Sequence, residues 1–263
     1  MSRKRLDSVL AERGLFDTRS RAAAAVLAGD VRVGGERRRA QKPGQMVAED
    51  VPVEVAEVPR FVSRGGRKLE NALGEFGLDP AGRMCLDAGA STGGFTDCLL
   101  QRGAGHVVAL DVAYGELDWR LRNDPRVTVI ERRNARELSA DELPYRPNLV
   151  VADLSFISLT KVLPRLLEAA APSWDCLALV KPQFEVGRER VGRGGVVRSA
   201  DDRRAALVAI GEWAAERGHA VLGYASSRLP GPAGNQESFV WLAEEGRAGA
   251  AGSIEAAARR VEP

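Results

Sequence analysis

Of the 38 basic residues in this 263-residue chain, five are lysine: Lys4, Lys42, Lys68, Lys161 and Lys181. Where the chain needs only positive charge it uses arginine. A retained lysine therefore points to work that needs an amine able to give up its proton, which arginine cannot do. Lys4, Lys42 and Lys161 fit plain surface charge. Lys68 falls at the start of a helical pattern (Leu69, Ala72, Leu73, Phe76), where the helix dipole disfavours a cation. Lys181 follows the apolar run 176–180, which reads as a strand, so it would stand at that strand's carboxyl end. Asp153 ends another such run, 149–152, and Glu237 opens the last strand pattern near 239–242. Active sites of open α/β sheets lie outside the strands' carboxyl ends. Taken singly, each of these four side chains is also explained by a structural ion pair.

The elements that must position them begin with Leu86-Asp87-Ala88-Gly89-Ala90-Ser91-Thr92-Gly93-Gly94-Phe95. A short apolar run, a glycine-rich turn and a helix start follow one another, which lets backbone N–H groups approach a nucleotide-like ligand. The spacing is Gly-x-x-x-Gly-Gly, not the Gly-x-Gly-x-x-Gly of a dinucleotide fold. A turn of this kind holds the methionine part of S-adenosylmethionine in methyltransferases, although a bare turn in an α/β core also needs glycines. Asp111 ends a second strand about 20 residues on, where an acid accepts hydrogen bonds from ribose hydroxyls. Asn134 follows a third strand, 127–130, either to hydrogen-bond an adenine or to start a turn. The sequence Asp153-Leu154-Ser155-Phe156 is not the Asp/Asn-Pro-Pro-aromatic of amino-group methylation. No cysteine stands where a C5-methylating nucleophile belongs.

The first 42 residues hold 11 Lys+Arg against 5 Asp+Glu, whereas the remainder holds 27 against 31. A basic head on a mildly acidic body suits a polyanion or a solvated basic surface. Leu6, Val9 and Leu10 read as a helix closed by Arg13-Gly14, and Thr18 reads as the N-cap of a second helix. Val31 to Val33 and Val51, Val53 and Val55 read as strands. Cys85, Cys98 and Cys176 are scattered, without metal spacing, and suit reduced, buried thiols. No apolar run approaches the roughly 20 residues of a membrane span. The chain reads as cytoplasmic.

Two resemblances organise these pieces. Arg5-Leu6-Asp7, Gly14-Leu15, Ser20-Arg21 and the stretch Gly29-Asp30-Val31-Arg32-Val33-Gly34-Gly35 resemble the small RNA-binding domain named after ribosomal small-subunit protein four. That resemblance implies RNA-phosphate contacts at Arg3, Lys4, Arg5, Arg19 and Arg21, with Arg37-Arg38-Arg39 as a secondary patch that a solvated hairpin explains equally well. The order Lys68, Asp153, Lys181, Glu237, together with the glycine turn, resembles the FtsJ-type RNA 2′-O-ribose methyltransferases. The sequences Val62-Ser63-Arg64-Gly65-Gly66, Ala152-Asp153-Leu154-Ser155-Phe156-Ile157-Ser158 and Val180-Lys181-Pro182-Gln183-Phe184-Glu185 narrow it to the TlyA family of ribosomal RNA cytidine-2′-O-methyltransferases, often described as hemolysins.

The resemblance implies an α/β, Rossmann-like, seven-stranded methyltransferase body carrying a small α+β head. It divides the chain into a head at 1–58, a linker at 59–63, a body at 64–245 and a tail at 246–263, in which Glu255 to Arg260 read as either a short helix or disorder. S-adenosylmethionine would be the cofactor, bound by Asp87, Gly89, Ser91, Thr92, Gly93, Gly94, Phe95, Asp111 and Asn134. Lys68, Asp153, Lys181 and Glu237 would be catalytic, with Lys181 the base and the two carboxylates orienting the lysines and the ribose hydroxyl. The partner would be ribosomal RNA within 30S subunits, 50S subunits or both, with Arg64 among its contacts and no metal or membrane involved. Phe61 stands where relatives carry a linker Trp, and the linker is placed to couple RNA grip to cofactor binding. A purely RNA-binding protein leaves the four-residue set unexplained. A pore-forming hemolysin lacks a lytic segment, and an NAD-dependent oxidoreductase is disfavoured by the turn spacing.

Overall fold

The computed structural model describes residues 3–16, 18–55 and 60–262. The chain separates into a head, 1–60, and a body, 61–263. Met1 of the head and Pro59 of the expected linker lie outside the described residues.

In the head, β1 (Arg3–Arg5) leads into α1 (Leu6–Glu12), and α2 (Arg19–Ala28) follows a turn. Thr18 caps α2 by accepting a hydrogen bond from the Arg21 amide at 3.2 Å, and Gly29 ends the helix in the left-handed conformation that glycine adopts without strain. The chain continues through β2 (Val31–Val33), β3 (Arg38–Arg39), β4 (Met46–Ala48) and β5 (Val53–Val55). β2 is flanked by β3 and β5, both antiparallel, and β1 pairs with β4. Leu6, Val9, Leu10, Ala22, Val26 and Val31 form the core of this unit.

The body opens with α3 (Arg64–Phe76), β6 (Met84–Ala88), α4 (Gly94–Gln101), β7 (His106–Leu110), α5 (Trp119–Arg122) and β8 (Val127–Ile130). It continues with β9 (Leu149–Ala152), α6 (Leu163–Glu168), β10 (Asp175–Val180), α7 (Pro182–Glu185), α8 (Ala200–Ala215), β11 (Ala220–Ser226), β12 (Ser238–Ala243) and α9 (Ile254–Arg259). The seven strands lie in the order β11-β12-β10-β9-β6-β7-β8, with β12 antiparallel to both neighbours and the other pairs parallel.

The central strands are uninterrupted apolar runs because both faces of the sheet are covered. Leu86, Val108, Val150 and Ala178 point to the face packed by α6, α8 and α9, while Cys85, Val107, Val151 and Leu177 point to the face packed by α3 and α4. β6 has β9 on one side and β7 on the other, so successive crossovers diverge there and open a crevice at the carboxyl ends.

Two boundaries differ from the sequence reading. Residues 61–63 are not a free linker: Phe61 is buried in the body core and the Val62 amide donates to Asp97 Oδ2 at 2.8 Å. Nor is 246–263 a separate tail. Ala257 and Ala258 of α9 are buried against the sheet layer, and Glu262 pairs with Arg203 at 2.8 Å.

At the opposite, amino-terminal edge, the buried carboxylate of Asp175 accepts from Arg83 at 2.7 Å, Trp241 Nε1 at 2.9 Å and Arg247 at 3.1 Å. Removing it leaves these donors without their acceptor. Asp175→Ala is expected to destabilise the body by about 2 kcal/mol in urea unfolding, without moving the active-site groups.

Candidate active site

Four charged side chains that are scattered in sequence meet at the carboxyl end of the sheet as two ion pairs. Lys68 Nζ lies 2.5 Å from Glu237 Oε2, and both residues are nearly completely buried. Lys181 Nζ lies 2.6 Å from Asp153 Oδ1 and donates to Ser155 Oγ at 2.8 Å. The Lys181–Asp153 contact has an ion-pair distance without hydrogen-bond alignment, since Asp153 Oδ1 has no hydrogen-bond partner. Ser155 therefore supplies the directed bond that aims the Lys181 amine. All four charged residues, with Ser155, line one cavity of about 370 Å³.

The backbone explains how they converge. Lys68 stands within α3 and not at its first residue, because the helix already begins at Arg64. Gly65 and Gly66 let the start of α3 approach the start of α4. A Cβ on Gly66 would sit 2.4 Å from the Phe61 ring and 2.8 Å from the Gly94 carbonyl oxygen. A Cβ on Gly94 would sit 2.2 Å from Ser63 Oγ and 2.9 Å from the Gly66 nitrogen. This glycine-to-glycine contact sets the depth at which Lys68 enters the cavity. On the other side, a Cβ on Gly231 would fall 2.3 Å from Glu237 Oε1, so a side chain there would displace the carboxylate.

A second cavity, of about 530 Å³, shares Gly89, Ser91, Asp153 and Ser155 with the first and is also lined by Asp111, Asn134, Leu154 and Ile157. Gly89, at φ +86°, brings the turn so close to β9 that a Cβ would lie 2.5 Å from the Asp153 carbonyl oxygen. Asp111 accepts the Ser91 and Ala113 amides, each at 2.7 Å, which locks it at the rim. Asn134 lines the cavity, but its Oδ1 accepts the Arg136 amide at 3.1 Å, so it starts a turn and leaves its Nδ2 group outside that cap. Phe156, at φ +63° and 90% exposed, stands at the mouth with Phe184 5.3 Å away, centroid to centroid.

Of the residues expected at the cofactor, Gly89, Ser91, Thr92, Gly94, Phe95, Asp111 and Asn134 line one or both cavities. Asp87 and Gly93 do not. Asp87 is fully buried, and its Oδ2 accepts both the amide and the hydroxyl of Thr96, at 2.9 and 2.7 Å. It ties the strand to α4 from beneath the turn. Burial pushes its carboxyl up to about 7; the Thr96 bonds oppose this, and the Asp153 and Asp111 charges add to it. Gly93, at φ +94°, closes the turn against Leu117 and Leu121.

Among the basic residues, Arg64 lines the first cavity and donates to the Pro230 carbonyl at 3.1 Å. Arg3, Arg5, Arg19 and Arg21 are exposed on the head. Lys4 pairs with Glu12 at 2.9 Å, and Arg5 and Arg19 meet Asp7 at 2.7 and 3.6 Å. The Lys4–Glu12 pair is exposed on both sides and such pairs are worth little, whereas Arg5 and Arg19 meet a carboxylate that is buried. The sequence reading missed Ser155 as the partner of Lys181, and its position two residues after Asp153 was the available signal. It also missed Gly66 and Gly231, whose need for glycine arises from tertiary contacts with Phe61, Gly94 and Glu237.

Residues 61–244 match the family model of the FtsJ-like methyltransferases, and residues 4–50 match that of the S4 domain. The 16S/23S rRNA (cytidine-2′-O)-methyltransferase TlyA of Mycobacterium tuberculosis is 49% identical over 262 residues, covering 98% of this chain and 97% of its own. The 23S rRNA (cytidine-2′-O)-methyltransferase TlyA of Campylobacter jejuni is 34% identical over 69% of this chain and 70% of its own. A solved structure from Streptococcus thermophilus, carrying the name hemolysin, superposes with a TM-score of 0.73 at 36% identity, over 99% of this chain and 96% of its own. Among the described residues, no helix is long and apolar enough to cross a membrane.

Two outcomes follow from this geometry. Gly94→Ala should shift the start of α3 and lower turnover on the order of 100-fold, as misplacement by about 1 Å does, while circular dichroism stays unchanged. Asp87 holds its proton in the folded chain between its ordinary value of 3.8 and about 7, so its contribution to stability falls as pH rises through that window. Relative to the non-titrating Asp87→Asn, the native chain should lose up to about 2 kcal/mol between pH 5 and 7 in urea unfolding, then level off.

Proposed function

The chain belongs to the FtsJ-like methyltransferases of TlyA type, and we propose that it moves the methyl group of S-adenosylmethionine onto the ribose 2′-hydroxyl of cytidine in ribosomal RNA. The observation that carries this reading is the pair of lysine–carboxylate contacts facing one cavity beside a glycine turn.

The residues present suit the cofactor. The turn at Gly89 is a cradle that any side chain would fill. Asp111 keeps acceptor lone pairs for ribose hydroxyls at the rim of a cavity whose walls include Leu110, Val112, Ala135 and Ile157, which suit a flat base. When bound, S-adenosylmethionine supplies a methyl carbon on a cationic sulfur. Gly89, Ser91, Asp153 and Ser155 face both cavities, so a group in one stands next to a group in the other.

Lys181 acts as the base, taking the proton of the 2′-hydroxyl on its amine once that amine has given its own proton to solvent. Ser155 keeps the amine aimed during that transfer. The Lys68–Glu237 pair forms the opposite wall and fixes the hydroxyl by offering a donor and an acceptor side by side. A nucleotide within folded RNA must leave its stack to reach this depth, and the exposed ring of Phe156 offers a surface for a displaced base.

Arg3, Lys4, Arg5, Arg19 and Arg21 of the head hold RNA phosphates without reading sequence. The likeness over nearly its whole length to an enzyme named for both 16S and 23S rRNA favours both subunits as substrates. Such a substrate places the protein in the cytoplasm. A purely RNA-binding role would leave two lysines and two carboxylates drawn together for no purpose.

Incubating the protein with labelled S-adenosylmethionine and unmodified small or large subunits should yield 2′-O-methylcytidine, read by nucleoside mass spectrometry. Lys181→Ala should reduce transfer at least 100-fold, with cofactor and RNA binding kept within about twofold. A methylated base, or equal activity in Lys181→Ala, would remove the ribose mechanism.

A further inference from the structure

The loop 187–198 joins α7 to α8 and carries Arg188, Arg190, Arg193 and Arg198 against one acid, Glu189, on a body that is otherwise mildly acidic. All four arginines are exposed. Arg190 lies 3.7 Å from Asp202, while among the described residues Arg188, Arg193 and Arg198 make no side-chain ion pair. Elsewhere in the body most arginines are engaged, as Arg83, Arg122, Arg126, Arg133, Arg203 and Arg247 are. Unpaired cations gathered in one loop are the exception and need a cause.

The loop is also held more firmly than a solvated charge run requires. Asn235, 1% exposed, accepts the Val197 amide on Oδ1 at 2.9 Å and donates from Nδ2 to the Gly195 carbonyl at 2.8 Å. Gly192 and Val196 bridge the two arms of the loop. Asn235 lies between Pro232 and Glu237, both of which line the cavity, and the loop leaves Lys181 through the short helix α7. Both ends of the arginine loop are thus moored to segments that carry active-site groups.

From this geometry we propose that the loop 187–198 is a second RNA grip, on the body itself. Its arginines hold phosphates flanking the target nucleotide, and Asn235 is the positioning residue that sets their distance from Lys181 and Glu237. The proposal rests on ribosomal RNA being the substrate. Its chemistry is charge pairing with backbone phosphate, which releases counterions and weakens with salt. The head then secures the particle while the loop presents one nucleotide.

The test uses the full chain with isolated ribosomal subunits, in three variants: Arg188, Arg190 and Arg193 all to Ala, the same three to Lys, and Asn235→Ala. The Ala triple variant should bind subunits at least about 10-fold more weakly and show a log-affinity against log-salt slope shallower by about 2. Affinity for S-adenosylmethionine should be unchanged. The Lys triple variant should restore both affinity and slope, because charge and not shape carries the grip. Asn235→Ala keeps every arginine, so it should lower kcat/KM for the subunit several-fold while cofactor affinity stays constant. An unchanged slope in the Ala triple variant, or a Lys triple variant as weak as the Ala one, would overturn the proposal. The slope is read from binding alone, so it stands apart from whether the native chain makes 2′-O-methylcytidine.

Discussion

The active centre depends on a buried charge pair. Lys68 and Glu237 come from opposite ends of the body, yet both are withdrawn almost entirely from water. Removing one partner from such a pair leaves a lone charge in a low-dielectric site, at a cost of about 3–5 kcal/mol, whereas a well-packed apolar pair of similar volume would often be no less stable. Stability alone is therefore a poor reason to keep it. What it provides is a donor and an acceptor held in fixed register at the bottom of a cavity. The surrounding glycines make that register possible: Gly66 and Gly94 admit the lysine's helix, and Gly231 makes room for the carboxylate.

The two ion pairs differ in a way that suits different duties. Lys68–Glu237 is enclosed and hydrogen-bonded, hence static. Lys181–Asp153 is partly open and poorly aligned, with Ser155 supplying the directed bond. The second pair is also the more accessible to solvent. On the reading proposed above, that difference suits Lys181 to proton transfer and Lys68 to positioning, a division that residue types alone do not make.

Much of this was legible in the sequence, for physical reasons. Central strands buried on both faces must be continuous apolar runs, so β6 to β10 stood out, and glycine at a strand-to-helix turn marks a close backbone approach. The scarcity of lysine drew attention to all five, and the places of Lys68 at a helix start and Lys181 at a strand end singled out those two. Asp87 misled because an acid ending a strand before a glycine turn looks the same whether it faces a ligand or ties down a helix. Only the Thr96 contacts, made across the turn, distinguish the two. The last residues were legible in part: of the two readings open for Glu255 to Arg260, a short helix or disorder, the helix is the one found, and its small Ala257 and Ala258 pack closely on the sheet layer. Asn235 gave no signal at all, since its partners in loop 187–198 are backbone groups.

The sheet order carries one more implication, for the time course of synthesis. β12 is the last strand of the sheet in chain order, yet it does not sit at an edge; it slots between β10 and β11. Glu237 immediately precedes it. During translation Lys68, Asp153 and Lys181 all emerge before Glu237, so Lys68 lacks its carboxylate until the segment of β12 is made. Insertion of β12 fills the gap in the sheet and delivers that carboxylate in one event. Closure of the sheet and completion of the charge pair are thus the same step, with α9 left to pack on the sheet layer afterwards.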